Sequence, residues 1–436
     1  MFLHYLDLAL RSIRKTPGLS LLMISAIAIG IGITITTLNV YKMMAHNPAG
    51  EKSSQLLRVQ LWSQGPNSWE EIPPLLAYQD IQNLRNIKPQ VRQTAMHGTG
   101  GVVQTDDPKQ DAFMQSIRSV DSDFFEMFEV PFLYGTSWNA DVDVNAAYHV
   151  IIADELNQKL FGGGDNVGKT VYVNKKPYQI VGIIGDWNPQ PKYYDVSNGA
   201  FNDAELMFMP FSLLPIEEQD TWGNTNGWKY EKLDTFQDRI NSEKTWTMFW
   251  AELHTPEQIE EYKRQLTGYV EQQKALGRFT DDKTPEESVR LSNVEEWLEL
   301  RQVVEEDNKI LVGLGFLFLS VCLVNILGLL LTKFLKRAPE VGVRRAIGAG
   351  RRQIFSQYMV EVGVIGLFGG AIGLLLAWGS LLVLGNRFGT DAALTQLDNS
   401  MWIITPVIAV GTALLAGLYP AWVVCRTKPS VYLKSQ

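Results

Sequence analysis

One segment of the 436-residue chain matches a nucleotide-binding motif, between Gly163 and Thr170. Its letters, G-G-D-N-V-G-K-T, satisfy the pattern G-x-x-x-x-G-K-[ST], in which backbone N–H groups at the start of a helix cradle phosphates. A true phosphate loop follows a strand and opens a helix. Here the helical pattern A-D-E-L-N-Q-K-L-F comes first and the strand pattern T-V-Y-V-N follows, so the sequence predicts no nucleotide site in this segment.

Other residue types that could carry chemistry are scattered. The five histidines show no metal-ligand spacing, the two cysteines (Cys322 and Cys425) lie in apolar runs, and the carboxylates form no recognisable acid–base pair. The sequence therefore predicts no catalytic, cofactor-binding or metal-binding residue in this chain. Glu361 is the one acid at the edge of an apolar run in this part of the chain, and we expect it to pair with Arg351 or Arg352.

A strongly basic segment runs from Lys333 to Arg352 between two apolar runs. It carries seven Lys/Arg residues against one acid, Glu340. Basic residues crowded between membrane spans mark the cytoplasmic side. Pro339 suits a first helical turn, and the apolar residues that follow predict a short helix with one apolar face, formed by Val341, Val343, Ala346 and Ile347. We interpret it as a docking element; the alternative is that this loop only fixes orientation and touches anionic lipid.

Four long runs without a charged residue predict the elements that hold this segment: 16–41, 310–332, 362–386 and 399–425. Each exceeds the roughly 20 residues that span a bilayer. The predicted order is an amphipathic helix at 1–18, a first span at 19–41, an outer domain at 43–309, a second span at 310–332, the basic coupling loop at 333–357, a third span at 358–386, an outer loop at 387–398, a fourth span at 399–425 and a tail at 426–436.

Charge predicts the orientation of these elements. Residues 43–309 contain 24 Lys/Arg against 42 Asp/Glu, whereas the arm before the first span, the loop between spans two and three, and the tail are basic. Both termini and the basic loop are therefore expected on the cytoplasmic side of a membrane, and the acidic domain on its outer side. An acidic domain also argues against binding nucleic acid, which requires a basic face.

The outer domain is expected to be α+β. Its patterns predict strands at 55–62 and 246–253, a helix at 77–87, a hairpin at 170–187 turned by N-K-K-P, and a helix at 255–271 that begins with Thr255 and Pro256. We expect two subdomains, divided near 105–117 or 210–245. The charge-dense residues 286–309 predict a stalk helix that continues into the second span.

The basic segment E-V-G-V-R-R-A-I-G-A resembles the coupling helix of MacB/FtsX-type ABC transporter permeases, although Ala338-Pro339 precedes it where many members have Thr-Arg or Ser-Arg. The tail P-A-W-V-V-C-R-T-K-P-S-V-Y-L is also similar to that family's ending. The resemblance implies four transmembrane helices arranged 1+3 in a bacterial inner membrane, with a MacB-like periplasmic domain inserted after the first. It also implies that ten residues contact the ATPase: Glu340, Val341, Gly342, Val343, Arg344, Arg345, Ala346, Ile347, Gly348 and Ala349.

The same resemblance implies a permease subunit that transmits ATPase motion to its periplasmic domain and drives efflux of a drug, peptide or toxin. ATP and Mg²⁺ would bind to a separate ABC ATPase dimer, and a second permease subunit, identical or not, would complete the complex. A periplasmic adaptor and an outer-membrane channel are further expected partners. Two alternatives remain open: a regulatory permease that activates a cell-wall hydrolase or senses antimicrobial peptides, and a lipoprotein-extraction permease.

Overall fold

The computed structural model describes residues 2–65, 72–87, 91–303, 306–388 and 397–426. The chain forms two compact units, Met1–His46 with Val304–Gln436, and Asn47–Val303, which we call the membrane unit and the outer domain. Most of the predicted loop at 387–398, and the predicted tail at 426–436 beyond its first residue, lie outside the described residues.

The helices in chain order are α1 Phe2–Lys15, α2 Pro17–Met44, α3 Tyr78–Asn86, α4 Phe124–Met127, α5 Ala140–Asn145, α6 Asp154–Phe161, α7 Phe236–Ile240, α8 Pro256–Ala275, α9 Val294–Leu300, α10 Glu306–Lys336, α11 Ala338–Ala346, α12 Arg351–Phe388 and α13 Met401–Arg426. The strands are β1 Leu56–Leu61, β2 Leu76–Ala77, β3 Gln93–Gln104, β4 Phe113–Val120, β5 Phe132–Gly135, β6 His149–Ala153, β7 Thr170–Val173, β8 Lys176–Ile184, β9 Met207–Pro210, β10 Thr245–Glu252 and β11 Val289–Asn293.

Within the described residues of the membrane unit, four helices are long and apolar enough to cross a bilayer: Pro17–Met44, Lys309–Lys336, Arg351–Leu384 and Met401–Arg426. These are α2, α10, α12 and α13, and they confirm the predicted 1+3 arrangement. The first of them packs inside the bundle, as its small residues predict. A Cβ at Gly369 of α12 would stand 2.5 Å from Ile27 of α2, so the glycine is what permits this close approach.

The outer domain contains an 11-stranded sheet, in which nine strands follow the order β11-β1-β10-β3-β4-β9-β6-β8-β5, while β2 pairs with β10 and β7 pairs with β3 and β8. Most neighbours are antiparallel, while β4–β9 and β6–β8 are parallel. Helices α3 and α8 pack on the β1–β10 end through a core that includes Ile81, Leu266 and Phe249. At the other end, α6 packs on β6 and β8 through Leu156 and Ile180.

The predicted stalk helix of the outer domain is wrong. Residues 286–309 do not form one helix, because β11 (Val289–Asn293) pairs with β1 and is followed by the separate helix α9. The strands of the outer domain belong to a single sheet and to one compact unit. The division into two subdomains near 105–117 or 210–245 stays a prediction.

Candidate functional site

Helix α11 is the centre of the predicted docking segment. Helix α10 continues beyond its uncharged run to Lys336, and only Arg337 separates it from α11. Pro339 occupies the first turn of α11, where the N–H that proline lacks would be unsatisfied in any helix. The helix ends where Gly348 adopts a φ of +108°, and the Gly348 N–H donates to the Arg345 carbonyl at 3.1 Å. A defined short helix therefore stands at residues 338–346.

One face of α11 is fixed to the rest of the membrane unit. Ala338, Val341 and Gly342 are buried. An Arg345 guanidinium N–H donates to the carbonyl of Cys425 in α13 at 3.3 Å, and an Arg344 N–H donates to the Gln357 side chain of α12 at 3.2 Å. The helix is thus held by α12 and α13 and follows their ends if either is displaced.

The other face of α11 is open and mixed in character. Val343 is 48% exposed and Ile347, just after the helix, is 82% exposed. The remaining predicted contact residues lie around them: Glu340, Arg344, Ala346 and Gly348 are exposed, while Ala349 and Arg345 are half-buried. The expectation of a single apolar face is wrong, because residues 341 and 343 are two positions apart and so point to opposite sides of a helix. Val341 anchors the helix, and Val343 and Ile347 face outward.

A buried ion cluster beside α11 was not predicted. The Glu361 carboxylate of α12 lies 2.7 Å from the Lys333 ammonium and 3.5 Å from the Arg337 guanidinium. It also accepts a hydrogen bond from the Ser12 hydroxyl of α1. Arg351 and Arg352, the expected partners of Glu361, make no ion pair with it among the described residues. The signal in the sequence was the spacing of Lys333 and Arg337, which puts both on one side of the helix end.

These contacts bring together the ends of several helices. Lys333 near the end of α10 donates to Ser20 near the start of α2 at 3.1 Å, and Glu361 lies in the early part of α12. The Arg345–Cys425 contact joins α11 to the end of α13. Direct contacts thus link α10 to α2 and α12, and α11 to α12 and α13, at this end of the bundle.

The segment that matches the phosphate-loop pattern has the order expected from the sequence. It follows α6 and precedes β7, and Gly163, Gly164 and Gly168 adopt positive φ. The Asn166 side chain fills the loop by donating to Asn157 and to the Gly163 carbonyl. Among the described residues, no group of three or more His, Cys, Asp or Glu could hold a metal ion.

Sequence models of known families match most of the chain. The MacB-like periplasmic core domain matches residues 20–269, and the FtsX-like permease C-terminal domain matches residues 312–429. The macrolide export ATP-binding/permease protein MacB of Pasteurella multocida is 22% identical over 74% of this chain and 43% of its own length. The uncharacterized ABC transporter permease YvrN of Bacillus subtilis is 22% identical over 60% of this chain and 57% of its own. The chain thus spans less than two thirds of these relatives.

Two solved structures align with part of the chain. The crystal structure of the periplasmic region of MacB from Actinobacillus actinomycetemcomitans aligns with 58% of this chain and 94% of its own, at 11% identity and a TM-score of 0.35. The extracellular domain of the transporter YknZ aligns with 55% of this chain and 100% of its own, at 15% identity and a TM-score of 0.33. The first family model alone covers more than half of the sequence. The chain therefore belongs to the MacB/FtsX-type ABC transporter permeases, multi-pass membrane proteins with a periplasmic domain between the first and second membrane-spanning helices.

Proposed function

We propose that this chain is the permease subunit of an ABC transporter in which a separate ATPase docks on α11 and moves it, and that the motion passes along the membrane helices to the periplasmic domain. In this mechanism the chain hydrolyses nothing and needs no continuous pore. ATP and Mg²⁺ bind to the ATPase partner. Each cycle of ATP hydrolysis by the partner displaces the periplasmic domain of this chain.

The observation that carries the proposal is the two-sided character of α11. A helix that transmits the motion of an ATPase needs one face packed on the membrane helices that it moves and another face exposed for the ATPase to bind. Val341 supplies the fixed face, and the exposed pair Val343 and Ile347 supplies an apolar contact of the kind that anchors protein interfaces. Glu340 and Arg344 flank this pair and are exposed, so a complementary partner gains orientation as well as affinity.

The contacts of α11 and α10 indicate which helices would move when the ATPase displaces α11. The single residue Arg337 joins it to α10, and the ring of Phe334 in α10 lies 4.1 Å from the ring of Tyr358 in α12. Displacing α11 therefore moves α10 and α12 together. In the sequence, α2 precedes and α10 follows the periplasmic domain, so these two helices are the direct covalent routes by which a tilt in the membrane reaches that domain.

The proposed substrate and partners of this chain are based on the names of its relatives. Several are named as macrolide export proteins, and we infer efflux of a periplasmic drug, peptide or toxin as the task of this permease. Two permease subunits pair above two ATPase subunits, and an adaptor leads to an outer-membrane channel. Both termini and α11 lie in the cytoplasm, which agrees with the basic charge of the segments around them.

The test is affinity purification of the tagged chain from native membranes, followed by identification of the bound proteins. We expect an ABC-type ATPase with the native chain, and its loss with Val343→Glu and Ile347→Glu. The matched control is Val144→Glu, which places the same charge at an exposed valine of the periplasmic domain. Recovery of the chain without any ATPase would contradict the proposal, and so would unchanged recovery of the ATPase with both α11 variants.

Sidedness is tested separately with single cysteines at positions 347 and 230, in a chain without Cys322 and Cys425. Tyr230 is an exposed residue of the periplasmic domain. A membrane-impermeant thiol reagent added to intact cells with a permeabilised outer membrane should label position 230 and spare position 347. Labelling of position 347 in intact cells would place α11 on the wrong side for an ATPase.

A further inference from the structure

A cleft lies between α1 and the α11–α12 corner of the membrane unit. Its inner part is a cavity of about 240 Å³ whose cationic lining residues are Arg11, Lys15, Arg337 and Arg344. A wider cleft of about 630 Å³ shares the lining residues Leu8, Arg344 and Ile354 and extends to Tyr5 and Ile347. The two together present a basic pocket with an apolar extension.

The charge of the inner pocket is not balanced by the protein. Arg11 has one carboxylate partner, Asp7 at 2.9 Å, and that pair is exposed. Lys15 has no carboxylate within ion-pair distance among the described residues. Glu340 is the acid among the lining residues of the inner pocket. An anion in this pocket would meet several cations and face one carboxylate.

The wall behind the pocket adds to this excess of positive charge. Lys333 and Arg337 share the single carboxylate of Glu361, and Ser12, which also lines the pocket, donates its hydroxyl to that carboxylate. Arg337 therefore shares its carboxylate partner with a second, fully buried cation. Burying two cations against one carboxylate is unfavourable, so an anion bound beside Arg337 would stabilise this arrangement.

The apolar extension decides which anion fits. Leu8 and Ile354 line both parts of the cleft and offer aliphatic surface in the same pocket as the cationic groups. The pocket lies beside the ends of the membrane-spanning helices, where α1 presents an amphipathic surface with basic residues in its last turn. An amphiphile with a phosphate head and hydrocarbon tails matches both parts, because arginine binds phosphate through paired hydrogen bonds and tails cover the aliphatic surface.

We propose that this cleft is a binding site for one anionic phospholipid. Its headgroup phosphate contacts Arg337, Arg11, Lys15 and Arg344, and an acyl chain lies along Leu8 and Ile354. The lipid fills the gap between α1 and α11 and so fastens the amphipathic arm to the docking helix. The proposal does not depend on the ATPase, since every residue it uses belongs to this chain and the ligand is supplied by the membrane.

The experiment uses the full chain, purified in mild detergent and titrated with phosphatidylglycerol or phosphatidylcholine, with the bound lipid counted by native mass spectrometry. The cleft variant is Arg11→Gln with Lys15→Gln. The matched control is Arg14→Gln with Lys336→Gln, two exposed cations that do not line the cleft. A hydrogen bond to a charged group contributes about 1.5–3 kcal/mol, so we expect affinity for phosphatidylglycerol to fall by about tenfold or more in the cleft variant and to stay within about twofold of native in the control.

Each other outcome overturns the proposal. Equal losses in the two double variants would mean that only net charge matters, and equal binding of phosphatidylcholine would remove the role of the anionic lipid. Displacement of the lipid by millimolar inorganic phosphate alone would assign the pocket to a free anion. Should the double variant fail to fold, Lys15→Gln alone serves, because this exposed side chain makes no ion pair with any residue that the structure describes; an unchanged affinity in that variant would also count against the site.

Discussion

Glu361→Gln is the substitution that tests the buried ion cluster most severely. The change keeps the size of the side chain and its ability to accept a hydrogen bond, but it removes the one negative charge that Lys333 and Arg337 share. Lys333 is fully buried, Glu361 is 1% exposed, and the two charged groups lie 2.7 Å apart. Arg337 is 16% exposed and lies at 3.5 Å, so it retains some access to water.

The expected change in the free energy of unfolding depends on which charged group stays buried after the substitution. Breaking a buried pair by removing one partner costs about 3–5 kcal/mol, since the other charge stays desolvated, whereas replacing the pair by apolar groups is often neutral. We therefore expect Glu361→Gln to lower the free energy of unfolding by about 3–5 kcal/mol. The double variant Glu361→Gln with Lys333→Met should recover a large part of this loss, because it also removes the fully buried cation, and the remaining cation, Arg337, retains some access to water.

The assay is unfolding of the purified chain in mixed micelles with an increasing fraction of dodecyl sulfate, followed by circular dichroism. The control is Asp7→Asn, which breaks the exposed pair with Arg11 and should cost about 0–1 kcal/mol. Two results would refute the reasoning. One is a loss for Glu361→Gln no larger than for Asp7→Asn, and the other is a double variant less stable than Glu361→Gln alone.

Two further predictions concern packing and pH. Gly369→Ala should destabilise the membrane unit by about 1–3 kcal/mol, because the new methyl group would meet Ile27 at 2.5 Å. The control, Gly379→Ala, has open space around it and should be neutral or slightly stabilising in the same assay. Equal effects of the two substitutions would contradict the packing of α12 on α2. In the outer domain, burial together with the charges of Arg118 and Arg239 lowers the pKa of His97 from 6.5 to about 3. The folded state thus keeps His97 neutral, so denaturant titrations should show full stability above about pH 6.5 and a progressive loss toward pH 3, and His97→Phe should flatten that slope; an unchanged slope would show that another group governs it.

Local signals predicted the elements whose formation depends on nearby residues. The uncharged runs predicted the membrane helices because length and composition alone decide whether a segment can span a bilayer. Thr255 was expected to begin a helix, and its hydroxyl accepts from the Gln258 N–H in a capping box. The N-K-K-P turn was expected to form a hairpin, and Asn174 and Lys175 both adopt the positive φ that a tight hairpin turn uses.

What the sequence did not reveal depends on partners far away in the chain. Strand β11 was missed because acidic residues flank it on both sides and made residues 286–309 resemble one charged helix, whereas Leu291 pairs with Val59 of β1. Strand β3 is rich in glycine and polar residues, which do not predict a strand. The glycine at position 100 is explained by a distant residue, because a Cβ there would stand 2.4 Å from the Trp222 indole that covers the strand. The partners of Glu361 were misassigned because the apolar run ends before α10 does, so Lys333 was counted as part of a loop.

The sequence predicted which residues form the docking segment, 340–349, but not which of them are buried and which are exposed. The family resemblance and the basic charge located residues 340–349, while the division between a buried Val341 and an exposed Val343 needed the contacts of α11 with its neighbours. The role of these residues in binding an ATPase remains a prediction that only a direct contact can test.

That contact is measured by placing a photoreactive amino acid at position 347, illuminating native membranes and identifying what is cross-linked to the chain. Position 230 in the periplasmic domain, equally open to solvent, serves as the reference. Docking on α11 predicts an ABC-type ATPase attached at position 347 and absent at position 230. An ATPase attached at neither position, or only lipid attached at position 347, would contradict the account.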